Sequence, residues 1–187
     1  MVTPPAGYPN YNGPIAALDF ECSGHTPYQK SRAVEIGLVL LHPNGKIEVL
    51  ADNLLSGATY ISRYAYATHG ISLKQCYGKP RLQTFRNLIL QTSKWPICVH
   101  AKGTERSILR DELGITEGIQ WVDSCLWSRK LLKGKVENHQ LKTISHHLEV
   151  AKKLQEFSKA YHWKWHRAAF DAAASALIIQ KLPTFLK

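Results

Sequence analysis

What this chain of 187 residues lacks excludes several kinds of protein. No stretch approaches the ~18 consecutive apolar residues that span a bilayer, so a transmembrane helix is not expected. The start, Met1-Val2-Thr3-Pro4-Pro5, carries neither a basic nor an apolar region, so a cleaved secretory signal is not expected. Four cysteines occur, Cys22, Cys76, Cys98 and Cys125, with no close pair at metal-ligand spacing. They read as reduced thiols of a cytoplasmic protein. The later histidines lack such cysteine partners, and the adjacent His146 and His147 cannot face one ligand from a helix, so structural zinc is not expected. There is no internal repeat and no low-complexity tract. Acidic residues are scarce, 14 against 24 Lys and Arg, for a net charge of +10. The scarcity is concentrated: residues 129–187 hold 12 basic and 4 acidic side chains. Such a field attracts polyanions, nucleic acid among them, although a face of solvated lysines is the ordinary alternative.

The composition, 44% hydrophobic and 20% charged, is that of a globular protein, and the length suits one domain. Residues 1–14, with Pro4, Pro5, Pro9, Pro14, Gly7 and Gly13, read as a flexible arm ahead of a single domain at 15–187. Strands are expected at Ile15–Phe20, Ala33–Leu41 and Lys46–Ala51, the last two joined by a Pro43-Asn44-Gly45 turn. Residues 52–80 read as irregular. A helical period starts at Arg81, a short strand at Pro96–His100, and a helix at Gly103–Leu113 with Thr104 as a possible N-cap. A last strand at Ile119–Val122 leads to helices, ending with an alanine-rich one at Ala168–Leu182 stopped by Pro183. Three antiparallel strands followed by alternating helix and strand describe an α/β fold, a mixed sheet flanked by helices.

Asp19 and Glu21 lie two apart on a strand, so both carboxylates project to one face, at the strand end where open α/β sheets place ligands. Such a pair either sits in solvent or shares a cation, and oxygen ligands favour Mg²⁺ or Mn²⁺. His166 and Asp171 are five apart, about 140° around a helix. They converge only if His166 lies in the loop ahead of the helix that carries Asp171.

The motifs taken together resemble those of the DEDDh 3′→5′ exonuclease superfamily. Asp19-Phe20-Glu21-Cys22-Ser23-Gly24 is similar to its Asp-x-Glu-Thr-Thr-Gly motif, and Ala33-Val34-Glu35-Ile36-Gly37 to its second strand. His69-Gly70-Ile71 resembles its loop near the terminal nucleotide, and Trp121-Val122-Asp123-Ser124 through Ile144 its Asp-Thr…His-Lys-Leu segment. His166-Arg167-Ala168-Ala169-Phe170-Asp171 matches its His-x-Ala-x-x-Asp. The middle motif departs: in His100-Ala101-Lys102-Gly103-Thr104-Glu105, a glutamate stands where the family has an aspartate.

The resemblance implies a ribonuclease-H-like five-stranded sheet with three antiparallel strands first. It implies a phosphodiester hydrolase acting at the 3′ ends of DNA or RNA, single-stranded ends foremost, and releasing nucleoside 5′-monophosphates. Two Mg²⁺ or Mn²⁺ ions would be held by Asp19, Glu21, Glu105 and Asp171, with His166 as general base. Cys22, Ser23, His69 and Ile71 would meet the terminal nucleotide, and Lys102 a phosphate. Glu105 and Lys102 also motivate a different reading, a binding module with a degenerate nuclease fold, and an accessory subunit of a larger repair assembly is a third. Tyr60, Tyr64 and Tyr66, and Trp163 and Trp165, are candidates to stack bases or, more simply, to pack loops onto the core.

Overall fold

The computed structural model describes Tyr8 and residues 13–185. Its centre is one five-stranded sheet in the order β3-β2-β1-β4-β5. The strands are β1 (Ile15–Cys22), β2 (Ala33–Leu41), β3 (Ile47–Leu54), β4 (Ile97–Val99) and β5 (Trp121–Asp123). β1, β2 and β3 are antiparallel, and β4 and β5 run parallel to β1, so the mixed sheet expected from the sequence is present. Gly45, at φ 82°, makes the β2–β3 turn that the Asn-Gly pair signals.

The helices are α1 (Arg63–His69), α2 (Leu73–Cys76), α3 (Arg86–Thr92), α4 (Gly103–Leu113), α5 (Ser124–Leu131), α6 (Leu141–His147), α7 (Ala151–Tyr161) and α8 (Ala168–Lys181). Two expectations are corrected. Residues 52–80 are not irregular throughout, because Ser62 caps α1 through its side chain and Gly70 ends it in the left-handed conformation. The residue ahead of α4 is Lys102, not Thr104, and the backbone N–H groups of Ala101 and Lys102 donate instead to Asp123.

Strand alternation sorts the core into two layers. Ile15, Ala17, Val39, Leu41, Cys98 and Val122 face α8 and the elements around it. Ala16, Leu18, Phe20, Ile36, Leu38 and Val99 face the opposite layer, which includes Ile108 and Leu109 of α4. α8 is buried along nearly its whole length, and its alanines allow it to lie close against the sheet. At Gly37 the approach is so close that an added Cβ would sit 2.1 Å from the Ala168 carbonyl carbon and the Ala169 nitrogen. Glycine is therefore required there by space.

Most of the proline- and glycine-rich arm lies outside the described residues. Tyr8, which is described, is buried, with its ring edge-on to Trp127 at 4.8 Å and its hydroxyl donating to the Ile179 carbonyl. No helix among the described residues is long and apolar enough to cross a membrane.

Candidate active site

β1 delivers Asp19 and Glu21 to its C-terminal end by strand alternation. A register shift between Glu21 and Cys22 breaks the β1–β2 ladder there, the sort of irregularity that re-aims side chains beside functional sites. From one layer α8 brings Asp171 in its first turn, and from the other α4 brings Glu105 in its own. His166 lies two residues ahead of α8, with φ 62°, so the loop placement that convergence required is the one observed. Its backbone N–H donates to Asp171 Oδ2 at 3.3 Å. Ligand atoms of Glu21, His166 and Asp171 all lie within 4.8 Å of one another.

The cluster is electrostatically unfavourable by itself. Burial, and then the charge of Glu35, pushes the Asp19 carboxyl up to about 7. Burial, with Asp19 and Glu35, pushes Glu21 up to about 8. Glu105 and Asp171 are held well above the usual carboxylate range, by burial first and then by Asp19. Glu105 Oε2 and Asp171 Oδ1 are buried with no hydrogen-bond partner. Orphaned oxygens of this kind are rare in native interiors and cost about 1–3 kcal/mol each. The group whose ligand atoms converge is Glu21, His166 and Asp171, with Asp19 and Glu105 in its field. A hard divalent cation there would supply the missing partner of Asp171 and offset the repulsion, so these residues fit such an ion.

The supporting shell was not read from the sequence. Glu35, fully buried on β2, is the cross-strand partner of Glu21. Its carboxylate accepts from Arg167 Nε at 2.7 Å and from Arg167 Nη2, and its other oxygen from the Ala168 N–H at 3.0 Å. A glutamate in the apolar run AVEIGLVLL was the available signal, because a buried carboxylate needs a partner. Trp163 is buried and its indole N–H donates to Asp52 Oδ2 at 2.7 Å, while Trp165 packs edge-on to Phe170. Trp163 and Arg167 thus anchor the loop on both sides of His166. Asp123 caps α5 through Leu126 N and also takes the Ala101 and Lys102 N–H groups, tying the α4 start to α5.

The residues expected to meet substrate divide. Cys22 and His69 line a cavity of about 730 Å³ that opens from Glu21. Burial raises the Cys22 thiol far above its ordinary value. Ser23 is buried and accepts from the Arg32 N–H, and Ile71 sits in a small apolar cluster with Val34 and Cys76, away from the cavity. His69 Nδ1 accepts from the Ile71 N–H at 2.9 Å, which leaves Nε2 to donate to the Cys22 carbonyl at 3.2 Å. Burial lowers its pKa, in keeping with a neutral ring. Lys102 is half-buried and engaged through its backbone.

No protein-family model matches the sequence, and no curated protein matches it. Solved structures do match the fold. Exonuclease X in complex with 5′ overhanging duplex DNA superposes with a TM-score of 0.64 at 18% identity, over 90% of each chain. The 3′-exonuclease solved in recognition of the 3′ end of the histone mRNA stem-loop gives 0.63 at 15% identity, over 92% of this chain and 82% of that one. The nuclease domain of 3′hExo, a DEDDh family member bound to rAMP, gives 0.63 at 15% identity, over 91% of each chain. The chain therefore has the ribonuclease-H-like fold of the DEDDh 3′-exonucleases.

Proposed function

We propose that this chain is a DEDDh-type, metal-dependent 3′→5′ exonuclease that hydrolyses phosphodiester bonds at the 3′ ends of DNA or RNA and releases nucleoside 5′-monophosphates. One observation carries the reading. Asp19, Glu21, Glu105 and Asp171, from one strand and two helices, all carry carboxyls raised by burial and by acidic neighbours, an oxygen of Glu105 and one of Asp171 lack partners, and His166 lies within 4.8 Å of Glu21 and Asp171. Stability alone does not account for such an arrangement, and perturbed carboxylates gathered at a strand end are what a charged reaction requires.

Two Mg²⁺ or Mn²⁺ ions, held by the four carboxylates, would supply the positive charge that lets water ionise near neutrality and that offsets charge on the leaving 3′ oxygen. The chain's own residues do the rest. His166 is exposed, and a ring nitrogen within 4.8 Å of the Glu21 and Asp171 ligand atoms can accept the proton of the attacking water. The anchors at Trp163 and Arg167 fix the loop that carries it. Glu105 extends one methylene beyond the aspartate of the family pattern, and from within α4 its carboxylate still comes into the field of Asp19 and Glu21. An acid or histidine stands at every ionisable position of the DEDDh pattern, with Glu105 in place of one aspartate, which favours an enzyme over a module kept only for binding.

The decisive assay follows a 5′-labelled single-stranded oligonucleotide, as DNA and as RNA, with Mg²⁺, with Mn²⁺ and with chelator, beside Asp19→Ala. The expected result is a metal-dependent ladder shortening from the 3′ end and absent in the variant. Intact substrate in every lane, with retained binding, would assign the fold to binding instead.

A further inference from the structure

The groove that leaves Glu21 is walled on one side by α1, and that helix is fixed to the end of β1 by three successive residues. The Cys22 carbonyl accepts from His69 Nε2, and the Ser23 carbonyl accepts from the Ser62 N–H at 2.8 Å. At Gly24 the chain lies so close to α1 that an added Cβ would be 2.4 Å from Ser62 Oγ. The inward face of the helix, Ala65 and His69, is buried. One residue round from it, Tyr64 lines the cavity and is 84% exposed, and Thr68, one turn on, lines it too. Tyr66 lies about 200° round the helix from Tyr64 and does not line the cavity.

α4 lines the same cavity with Gly103, Thr104, Ser107 and Ile108, followed by Arg110 and Asp111. Lys30 and Arg110 line the same cavity, each paired with Asp111, and Glu21 is its other acid, so two cations stand among the lining side chains for a phosphate to meet. A lone exposed tyrosine is unremarkable on a protein surface. This one stands on a helix fixed to the end of β1, lines the cavity that reaches Glu21, and shares that lining with Lys30 and Arg110. A flat aromatic ring with cations beside it is what a nucleobase on a phosphate backbone needs. The volume lies within the roughly 300–1,000 Å³ of ligand pockets, room for unpaired nucleotides of one strand.

We propose that Tyr64 is the stacking platform for a base of an unpaired 3′ end, and that this contact makes the groove select single-stranded over paired ends. The inference rests on the nuclease reading above and adds a specificity residue to it.

The test compares wild type, Tyr64→Ala and Tyr64→Phe. Each is assayed on a single-stranded 12-residue oligonucleotide, on the same oligonucleotide with two abasic residues at its 3′ end, and on its duplex. Binding of the fluorescent single strand is measured in chelator by anisotropy, so that it does not depend on hydrolysis. Because the ring is exposed, Tyr64→Ala keeps the wild-type melting temperature. On the normal single strand its kcat/KM and affinity fall about tenfold, a typical loss for one stacked base. Tyr64→Phe stays near wild type, the abasic substrate does not distinguish Ala from wild type, and the preference for single strand over duplex shrinks. Wild-type values for Tyr64→Ala on the normal strand, in both hydrolysis and binding, overturn the proposal and leave the nuclease reading standing. Absence of hydrolysis by wild type overturns the nuclease reading, and the anisotropy comparison then decides the role of Tyr64.

Discussion

Glu35 on β2 and Arg167 just ahead of α8, 132 residues apart, form an ion pair, buried on the Glu35 side, that fixes the stretch from His166 to Asp171 against the sheet. The pair also places a positive charge beside the acidic cluster, since Arg167 opposes the upward shift of Glu21. Removing either partner is expected to disturb both stability and the site, but unequally. Arg167→Ala strands a carboxylate with no access to solvent, at a cost of roughly 3–5 kcal/mol. Glu35→Gln leaves a guanidinium that is already partly exposed and can rehydrate, so its loss is smaller. Urea denaturation of the two variants measures the order, and the reverse order would sink the assignment of Glu35 as the buried member.

Gly37→Ala places a methyl group inside the backbone of Ala168 and Ala169. α8 must move outward, carrying Asp171 with it. The expected loss is about 1–3 kcal/mol of stability, as for other overpacked sites, together with most of the nuclease activity. Thermal denaturation and the oligonucleotide assay check the two parts. A variant of wild-type stability and rate would show that the approach of α8 to β2 is looser than described.

The metal-free protein is expected to lose stability as pH rises. Asp19 titrates near 3.8 when unfolded and about 7 when folded, and Glu21 near 4.5 and about 8. The folded state therefore binds more protons between these limits, and the stability linked to them is complete near pH 4 and lost by about pH 8. Divalent ions take the place of those protons, so the rise in melting temperature with Mn²⁺ should be larger at pH 8 than at pH 5.5. Melting curves with chelator and with Mn²⁺ at both values decide it, and an equal rise at both would remove these carboxylates from the ion site.

Glu105→Gln keeps the shape of the side chain and removes its charge. It is expected to lower turnover by about 100-fold or more, the scale for deleting one electrostatic contact in a transition state. Glu105→Asp retains the charge on a shorter arm, and is expected to keep activity while changing the ratio of Mg²⁺-supported to Mn²⁺-supported rate. If the Gln variant turns over normally, Glu105 is not part of the site.

His166→Ala is expected to lose about 10²–10⁴ in rate, the usual share of general-base catalysis, while keeping the metal-dependent rise in melting temperature. Retention of the full rate would pass the proton to another group.

Much of this was legible because it rests on local periodicity. Asp19 and Glu21 follow from strand alternation, and the loop position of His166 follows from helical geometry alone. The helix at Gly103–Leu113 matched its expected bounds. α1 escaped notice because it is only seven residues long, although Ser62 and Gly70 are ordinary start and stop signals. Pairings across long sequence distances left no local trace. Nothing near Glu35 announces Arg167, and nothing near Asp123 announces the backbone of Ala101 and Lys102. Tyr64 was visible as an aromatic residue, but its relation to the end of β1 exists only once His69, Ser62 and Gly24 are folded against that strand.

The four thiols have a practical consequence at the bench. Burial raises the pKa of Cys22, Cys76, Cys98 and Cys125 alike, so at neutral pH all four remain protonated and chemically quiet, Cys22 at the cavity wall included. Purification and assay should then need no thiol reductant. Leaving it out keeps a soft sulfur ligand from competing for Mn²⁺, so the concentration of free metal added to each tube is the concentration the protein meets.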